Sequence, residues 1–164
     1  MTAQATQHQV EQFLFRNAEY CDRQQWDDYL ANFDEALVFH VPQWDSEHVY
    51  TTDPQREMSM VYYDSRQGLE DRVFRLRTGK SAASTPLPRT LHMISNVCVI
   101  NEEPHALLVK AKWVTHYVRL GIASTFFGEV DYELAKTSTG LKIRRKHVLL
   151  LNDKINAVLD FYHL

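Results

Sequence analysis

The first 42 residues show two hydrophobic periods, and the change of period marks where helix gives way to strand. Apolar residues three or four positions apart predict a first helix with one buried stripe, formed by Val10, Phe13, Leu14, Ala18 and Cys21. After a turn at 22–25, the same spacing predicts a second, shorter helix through Trp26, Tyr29, Leu30 and Phe33. From residue 37 the period becomes two, which predicts a strand over 37–41 that ends at Pro42.

The rest of the chain carries one more helical stripe, followed by long stretches of period two. A strand at 58–64 is followed by a short amphipathic helix, with Leu69, Val73 and Leu76 on its stripe and Gly79 beyond its end. Strands are then predicted over 90–100, 105–120, 124–136 and 141–152, the first of them apolar on both faces. Helices followed by an antiparallel meander predict a single α+β domain over residues 1–164, with a curved, mostly antiparallel sheet wrapped around the N-terminal helices.

A long polar connection separates the first two predicted strands. Residues 43–57 are mostly polar and include Asp53-Pro54 as a turn signal, so we interpret them as a functional or interface loop. Trp44 and Asp45 have two interpretations there: the anchor and ion pair of an interface, or the lining of a pocket.

The segment 68–97 combines a charged helix with a proline-rich loop and has a net charge of +3. Asp71 and Arg75 are predicted to pair at i,i+4 on the helix. Residues 81–89 hold two prolines and are predicted to form either an ordered surface loop or one that a partner binds. We expect an acidic surface to face this segment.

Composition indicates a folded, soluble protein. The 164 residues are 45% hydrophobic and 12% aromatic, which suits one core of ordinary size. The chain has no apolar run of the roughly 20 residues that a membrane span needs. It begins without a signal-peptide pattern, and two cysteines do not build a disulfide scaffold. We therefore expect a cytoplasmic protein with no membrane contact.

Charge is divided unevenly along the chain. Residues 1–64 hold 12 acidic and 3 basic residues (net −9), whereas residues 65–164 hold 9 acidic and 15 basic residues (net +6). We expect the halves to pack on each other, or acidic and basic faces to meet between protomers. Nucleic acid is not expected as a partner, because the overall charge is −3 and the basic cluster at 142–147 alternates like an exposed sheet face.

Missing motifs exclude several kinds of chemistry. The chain has no glycine-rich phosphate loop and no G-x-S-x-G elbow, and neither cysteine is followed two positions later by the histidine that a Rieske cluster uses. Its eight histidines include no pair at i,i+4 and show no ligand spacing. We therefore predict no metal or other cofactor in this chain.

His92 is the one histidine with a case for chemistry, because it lies on the predicted strand that is apolar on both faces. We interpret it as a buried structural histidine, and assign no catalytic residue to the chain. The alternative is a general base in a pocket between sheet and helix, with Tyr62, Tyr63 or Asp71 as its partner.

Three stretches resemble the small, or beta, subunit of bacterial aromatic-ring-hydroxylating dioxygenases. They are DPQREMSMVYYDSRQGLEDRVFRLRT (53–78), TPLPRTLHMISNV (85–97) and VLDFYHL (158–164). Their order and the chain length agree with that family over nearly the whole sequence. The stretches 39–51, 77–82 and 145–153 are most similar to its benzoate and anthranilate branch.

The resemblance implies a fold and a division of labour. Such subunits have a cystatin-like, NTF2-like cone. The large, or alpha, subunit carries the Rieske 2Fe-2S cluster and mononuclear Fe(II), three alpha and three beta subunits form a hexamer, and an NADH-dependent reductase supplies electrons. This chain would then be a non-catalytic, structural subunit of an enzyme that converts aromatic acids to catechol. The alternatives are a free-standing isomerase or dehydratase of the same fold, and a small-molecule-binding protein.

For such a structural role, the candidates for subunit contacts are the +3 segment, the long acidic loop and the C-terminal tail. Arg72, Arg75 and Arg89 would donate charge-assisted hydrogen bonds to carboxylates of neighbouring chains, with Trp44 and Tyr162 as apolar anchors. For each arginine the alternative is an intrachain pair with the acidic N-terminal half.

Overall fold

The computed structural model describes residues 3–164. Its helices are α1 (Ala3–Asp22), α2 (Trp26–Ala31) and α3 (Arg66–Arg77), with a short 3-10 helix at Phe161–His163. Its strands are β1 (Phe33–Pro42), β2 (Ser59–Tyr63), β3 (Arg89–Glu102), β4 (Ala106–Arg119), β5 (Ile122–Thr137) and β6 (Gly140–Leu150). The predicted domain begins at residue 1, and residues 1 and 2 lie outside the described range.

The strands of the described range form one six-stranded sheet in the order β2-β1-β6-β5-β4-β3. Strands β3 to β6 make the predicted antiparallel meander, with a tight turn at Leu120 and Gly121, whose φ angles are 51° and 79°. Strand β1 pairs antiparallel with β2 and parallel with β6. The α+β, mostly antiparallel architecture is confirmed, and the parallel join is the feature that the hydrophobic pattern did not predict.

The core lies between the inner face of this sheet and the helices. Alternate residues of β4, such as Val109, Ala111 and Trp113, are buried on that face. The C-terminal segment closes the core, because the Phe161 ring packs 5.5 Å from the Trp26 ring and 5.6 Å from the Tyr29 ring. The sheet therefore wraps both the helices and the C-terminal segment.

Phe33, predicted on the second helix, is instead the first residue of β1. Helix α2 ends at Ala31, and the carbonyl oxygen of Asn32 accepts a hydrogen bond from the Ile143 amide at 2.8 Å. This bond draws the chain into the sheet beside β6. Phe33 is fully buried there, as it would be on a helix, so hydrophobic spacing alone does not separate the two arrangements.

The basic cluster at 142–147 is not the uniformly exposed sheet face that was predicted. The register between β5 and β6 shifts within this stretch, which leaves one residue of β6 without a partner. Arg144 and Arg145 consequently both face solvent, while Lys146 turns into the core. Strand β3 also differs from prediction, because its inner side packs on α1 but its outer Leu91 and Met93 stay exposed.

The oppositely charged halves do meet within the chain. Among the described residues 3–164, three Arg–carboxylate ion pairs near the surface join them: Arg77 to Asp27 at 2.8 Å, Arg144 to Asp34 at 3.5 Å, and Arg66 to Glu35 at 3.8 Å. Exposed pairs of this kind contribute only about 0–1 kcal/mol each. They orient the halves, and the buried core supplies most of the stability.

Gly128 on β5 is required by a close approach of main chain. A Cβ atom there would lie 1.9 Å from the carbonyl oxygen of Leu149, which is backbone and has little room to move. We expect Gly128→Ala to lower the free energy of unfolding by roughly 3 kcal/mol, measured by urea denaturation. Glu129→Ala, on the exposed face of the same strand, is the control and should change it by less than about 0.5 kcal/mol. Equal effects of the two changes would contradict this account.

Candidate functional site

The His92 side chain is buried and bound to a carboxylate that sequence reasoning did not name. Its Nδ1 lies 2.5 Å from Oδ1 of Asp22, the last residue of α1, and its main-chain N–H donates to Asp22 Oδ2 at 2.8 Å. The Thr90 hydroxyl donates to the same carboxylate at 2.8 Å. The predicted partners Tyr62, Tyr63 and Asp71 are therefore wrong.

Electrostatics keep Asp22 ionised in this setting. Burial alone would raise its pKa, but the hydrogen bonds from the His92 side chain, the His92 amide and Thr90 outweigh burial and hold the pKa below its ordinary value. A histidine oriented by a carboxylate on Nδ1 is the arrangement of a general base. Here, however, Nε2 of His92 is closed off from solvent, so no substrate reaches it in this conformation.

A second buried carboxylate pins the C-terminal segment. Asp160 forms an ion pair with Arg72 of α3, whose Nε and Nη2 both donate to it. The same carboxylate accepts from the Phe161 amide at 2.9 Å and so caps the short C-terminal helix. The bond to Asp160 raises the pKa of the Arg72 guanidinium. Arg72 thus pairs inside the chain, and with the C-terminal segment, not the acidic N-terminal half.

Tyr162, predicted as an apolar anchor on a neighbouring subunit, belongs to the core. It is 3% exposed, and its ring packs against those of Phe161 and His163. The closing FYHL stretch therefore fills the interior of the cone. A tail rich in aromatic residues suits either role, and only the tertiary contacts separate them.

Trp44 and Asp45 do lie at the surface. The Trp44 indole donates to the Leu150 carbonyl oxygen at 2.7 Å and meets the Tyr50 ring edge-on at 5.4 Å, so its own chain holds it in place. Asp45 is exposed. They line a depression, here called the loop patch, together with Ser46, Glu47, His48, Leu151 and Asp153. Its ionised side chains are all acidic, two aspartates and a glutamate.

Arg75 and Arg89 are also exposed, and within residues 3–164 neither side chain forms a hydrogen bond or an ion pair. The predicted Asp71–Arg75 pair is not formed, because Asp71 accepts from Gln67 at 2.8 Å. Arg75 lines a second depression, here called the helix patch, with Asp71, Phe74, Thr78, Lys80 and Ser81. Phe74, 72% exposed, was missed by sequence reasoning; its position outside the stripe of Leu69, Val73 and Leu76 is the signal that could have found it.

The proline-rich loop beside the helix patch is ordered by the chain itself. The Arg119 guanidinium on β4 donates to the carbonyl oxygens of Ala82 at 2.7 Å and of Thr85 and Pro86 at 2.9 Å. This favours the ordered-loop alternative for 81–89 and holds the loop at a fixed place on the surface.

Among residues 3–164, no group of three or more His, Cys, Asp or Glu side chains is placed to hold a metal ion. In the same range, no helix combines the length and apolar character that crossing a membrane requires.

Comparison with known proteins settles the family. The sequence profile of the ring hydroxylating beta subunit family matches residues 16–157. The chain belongs to this family. It is 50% identical to the anthranilate 1,2-dioxygenase small subunit of Acinetobacter baylyi over 155 residues, or 94% of this chain and 95% of that protein. It is 40% identical to the benzoate 1,2-dioxygenase subunit beta of the same organism, over 95% of this chain and 92% of that one.

The fold agrees with this membership. The crystal structure of the benzoate 1,2-dioxygenase beta subunit from Burkholderia mallei superposes with a TM-score of 0.79 at 34% identity, covering 94% of this chain and 95% of that chain. The chain is thus the small subunit of a ring-hydroxylating dioxygenase, one component of a multi-subunit oxidoreductase. The predicted family and NTF2-like architecture are confirmed.

Lys146 provides a test of the interior. Its Nζ donates to the Leu164 carbonyl oxygen at 3.1 Å, and burial lowers its pKa from 10.5 to about 8. The unfolded chain holds this proton up to about pH 10.5, so stability should rise with pH between 8 and 10.5, and the buried ammonium should cost roughly 3 kcal/mol below pH 8. Methionine does not titrate, so we expect the stability of the wild type relative to Lys146→Met to rise by roughly 3 kcal/mol between pH 8 and pH 10.5.

Urea denaturation at pH 7, 8, 9 and 10 measures that gap. The buried Cys21 thiol lowers stability in alkali, because burial raises its pKa and the Lys146 charge opposes that rise. Both proteins are therefore compared in a Cys21→Ala background, which removes this contribution from the difference. Lys110→Met, on the exposed face of β4, is the matched control and should show no pH-dependent gap. A constant gap between wild type and Lys146→Met would show that the lysine does not titrate in this range.

Proposed function

We propose that this chain is the structural beta subunit of an anthranilate-type dioxygenase and supports the large subunits that carry out the chemistry. The 50% identity to an anthranilate 1,2-dioxygenase small subunit over 94% of the chain carries the substrate assignment. The chain itself contributes no catalytic group, since the Nε2 atom of His92 is shut off from solvent. In this proposal the Rieske cluster and mononuclear iron reside in the large subunit, NADH acts through a reductase, and the complex works in the cytoplasm.

Assembly is proposed to be a hexamer of three alpha and three beta subunits. The support is charge and exposure: the helix patch presents an exposed Phe74 beside the unpaired Arg75, while the loop patch of acidic side chains surrounds Trp44. Unlike patches on one protomer suit head-to-tail contacts that close into a ring. Arg89 extends the basic surface toward the large subunit.

Reconstitution tests the function. The chain should assemble with an anthranilate-type large subunit more tightly than with a benzoate-type one, and with the former and its reductase it should support NADH consumption with anthranilate and release of catechol. Iron analysis of each separated component should find stoichiometric iron in the large subunit and not in this chain. Tighter assembly with a benzoate-type large subunit would overturn the substrate assignment, and one iron per chain retained through dialysis against chelator would overturn the structural role.

The helix patch yields a direct assembly prediction. Arg75→Glu removes a charge-assisted donor and places like charges together, so we expect it to weaken assembly by roughly 2 kcal/mol, or about 30-fold in Kd. Light scattering with and without the large subunit measures the change, and circular dichroism confirms folding.

Arg16→Glu is the matched control for that measurement, because Arg16 is likewise exposed on a helix and forms no ion pair within the described residues. Lys136 is unsuitable as a control, since its Nζ donates to the Glu102 carboxylate and to the Glu103 carbonyl oxygen, each at 2.8 Å. A folded Arg75→Glu protein that assembles with wild-type affinity would place the interface elsewhere.

A further inference from the structure

Three buried polar atoms, two on the sheet and one on the C-terminal 3-10 helix that packs over it, have no hydrogen-bond partner in the described residues. They are His92 Nε2, Thr115 Oγ1 and His163 Nε2. Leaving such atoms unpaired costs free energy, so a group of them in one place needs a physical explanation.

Register places these atoms together. His92 on β3 is directly opposite Thr115 on β4, and Thr115 is directly opposite Phe126 on β5. The His163 ring packs 4.8 Å from the Phe126 ring and 5.1 Å from that of Tyr117, so it lies over this row of residues. The three unpaired atoms therefore face the same small part of the interior.

The proton on His163 can be located from its other nitrogen. The Asp160 main-chain N–H donates to His163 Nδ1 at 2.9 Å, and an amide can only donate. The Asp160 carbonyl oxygen also lies 3.2 Å from that nitrogen, at the longer and weaker of the two distances. Burial lowers the pKa of His163 to about 4, which keeps the ring neutral. Its Nε2 therefore carries the proton and is a donor.

The opposite holds for His92. Its Nδ1 faces the ionised carboxylate of Asp22 at 2.5 Å, so Nδ1 carries a proton, and in the neutral ring Nε2 is an acceptor. The Thr115 hydroxyl can both donate and accept. A donor, an acceptor and a hydroxyl with both capacities match the hydrogen-bonding groups of one water molecule.

We propose that His92, Thr115 and His163 form a binding site for a single buried water molecule. The water accepts from His163 Nε2, donates to His92 Nε2 and makes its third bond to the Thr115 hydroxyl, which is the usual number for buried water. A continuous polar network then crosses the core, from Asp22 at the end of α1 to Asp160 and Arg72 on α3. It joins the C-terminal segment to both layers.

A metal ion is the competing occupant. Metal binding needs an unprotonated Nε2 on both rings. In His163 the Nδ1 atom accepts a hydrogen bond from the Asp160 main-chain N–H, so the ring proton is on Nε2. With water in the site, His163 carries its proton on Nε2 and His92 carries its proton on Nδ1.

Two measurements on the intact wild-type chain test the site. Long-range nitrogen-15 NMR of the histidine rings should show the two tautomers just given. A crystal structure at atomic resolution should show one oxygen at about 2.7–3.1 Å from the three atoms. The opposite tautomer at His163, or a metal found by elemental analysis, would overturn the proposal.

The direction in which Tm changes when the Thr115 hydroxyl is removed tests for the bound water. Thr115→Val keeps the side-chain shape but removes a bond to the water, so it should lower Tm by about 3 °C. Tyr29→Phe is the matched control, because its hydroxyl is also buried without a hydrogen-bond partner in the described residues, and the ring that remains still packs on those of Trp26, Phe33 and Phe161. Removing this hydroxyl should leave Tm unchanged or raise it. A Thr115→Val protein that gains stability would show that its hydroxyl has no bound water.

Discussion

The ion pair between Arg72 and Asp160 fixes the C-terminal segment to helix α3, so that the segment covers the core. Asp160 is 4% exposed, so its charge must be compensated inside the protein, and losing Arg72 would cost about 3–5 kcal/mol by leaving a buried carboxylate unpaired. The same carboxylate caps the C-terminal helix, which sets Phe161 between Trp26 and Tyr29. One contact thus fixes the segment that completes the core.

Because the interior of the protein is packed with side chains, binding of a partner must use the outer surface. The aromatic C-terminal segment occupies the space that a ligand would need, and the buried His92–Asp22 pair lies beneath it. What remains for a partner is surface shape and charge: the helix patch, the loop patch and the outer side of the sheet. This is the organisation expected of a subunit that positions another chain, and it agrees with membership of the ring hydroxylating beta subunit family.

The sequence predicted those features that depend on local periodicity. Amphipathic spacing found α1 and α3, alternation found the meander, and local motifs indicated the family. Contacts between residues far apart in the chain could not be predicted from local patterns. Asp160 lies 88 residues from Arg72, and this ion pair fixes the C-terminal segment in which Tyr162 is buried. Lys146 was misplaced because a bulge changes the face of β6, and periodicity counts residues without detecting bulges. Phe33 was assigned to the wrong element because its ring would be buried equally on a helix or on a strand.

The Asp22 carboxylate is best understood as protection of a sheet edge. Strand β3 lies at the edge of the sheet, where free main-chain groups invite pairing with another chain. Helix α1 occupies several of them: Asp22 accepts from the His92 amide, while Gln7 accepts from the Val99 amide and donates to the Val97 carbonyl oxygen. Strand addition at this edge is thereby blocked. On this side of the subunit, association must then use side-chain surfaces rather than main-chain pairing with β3.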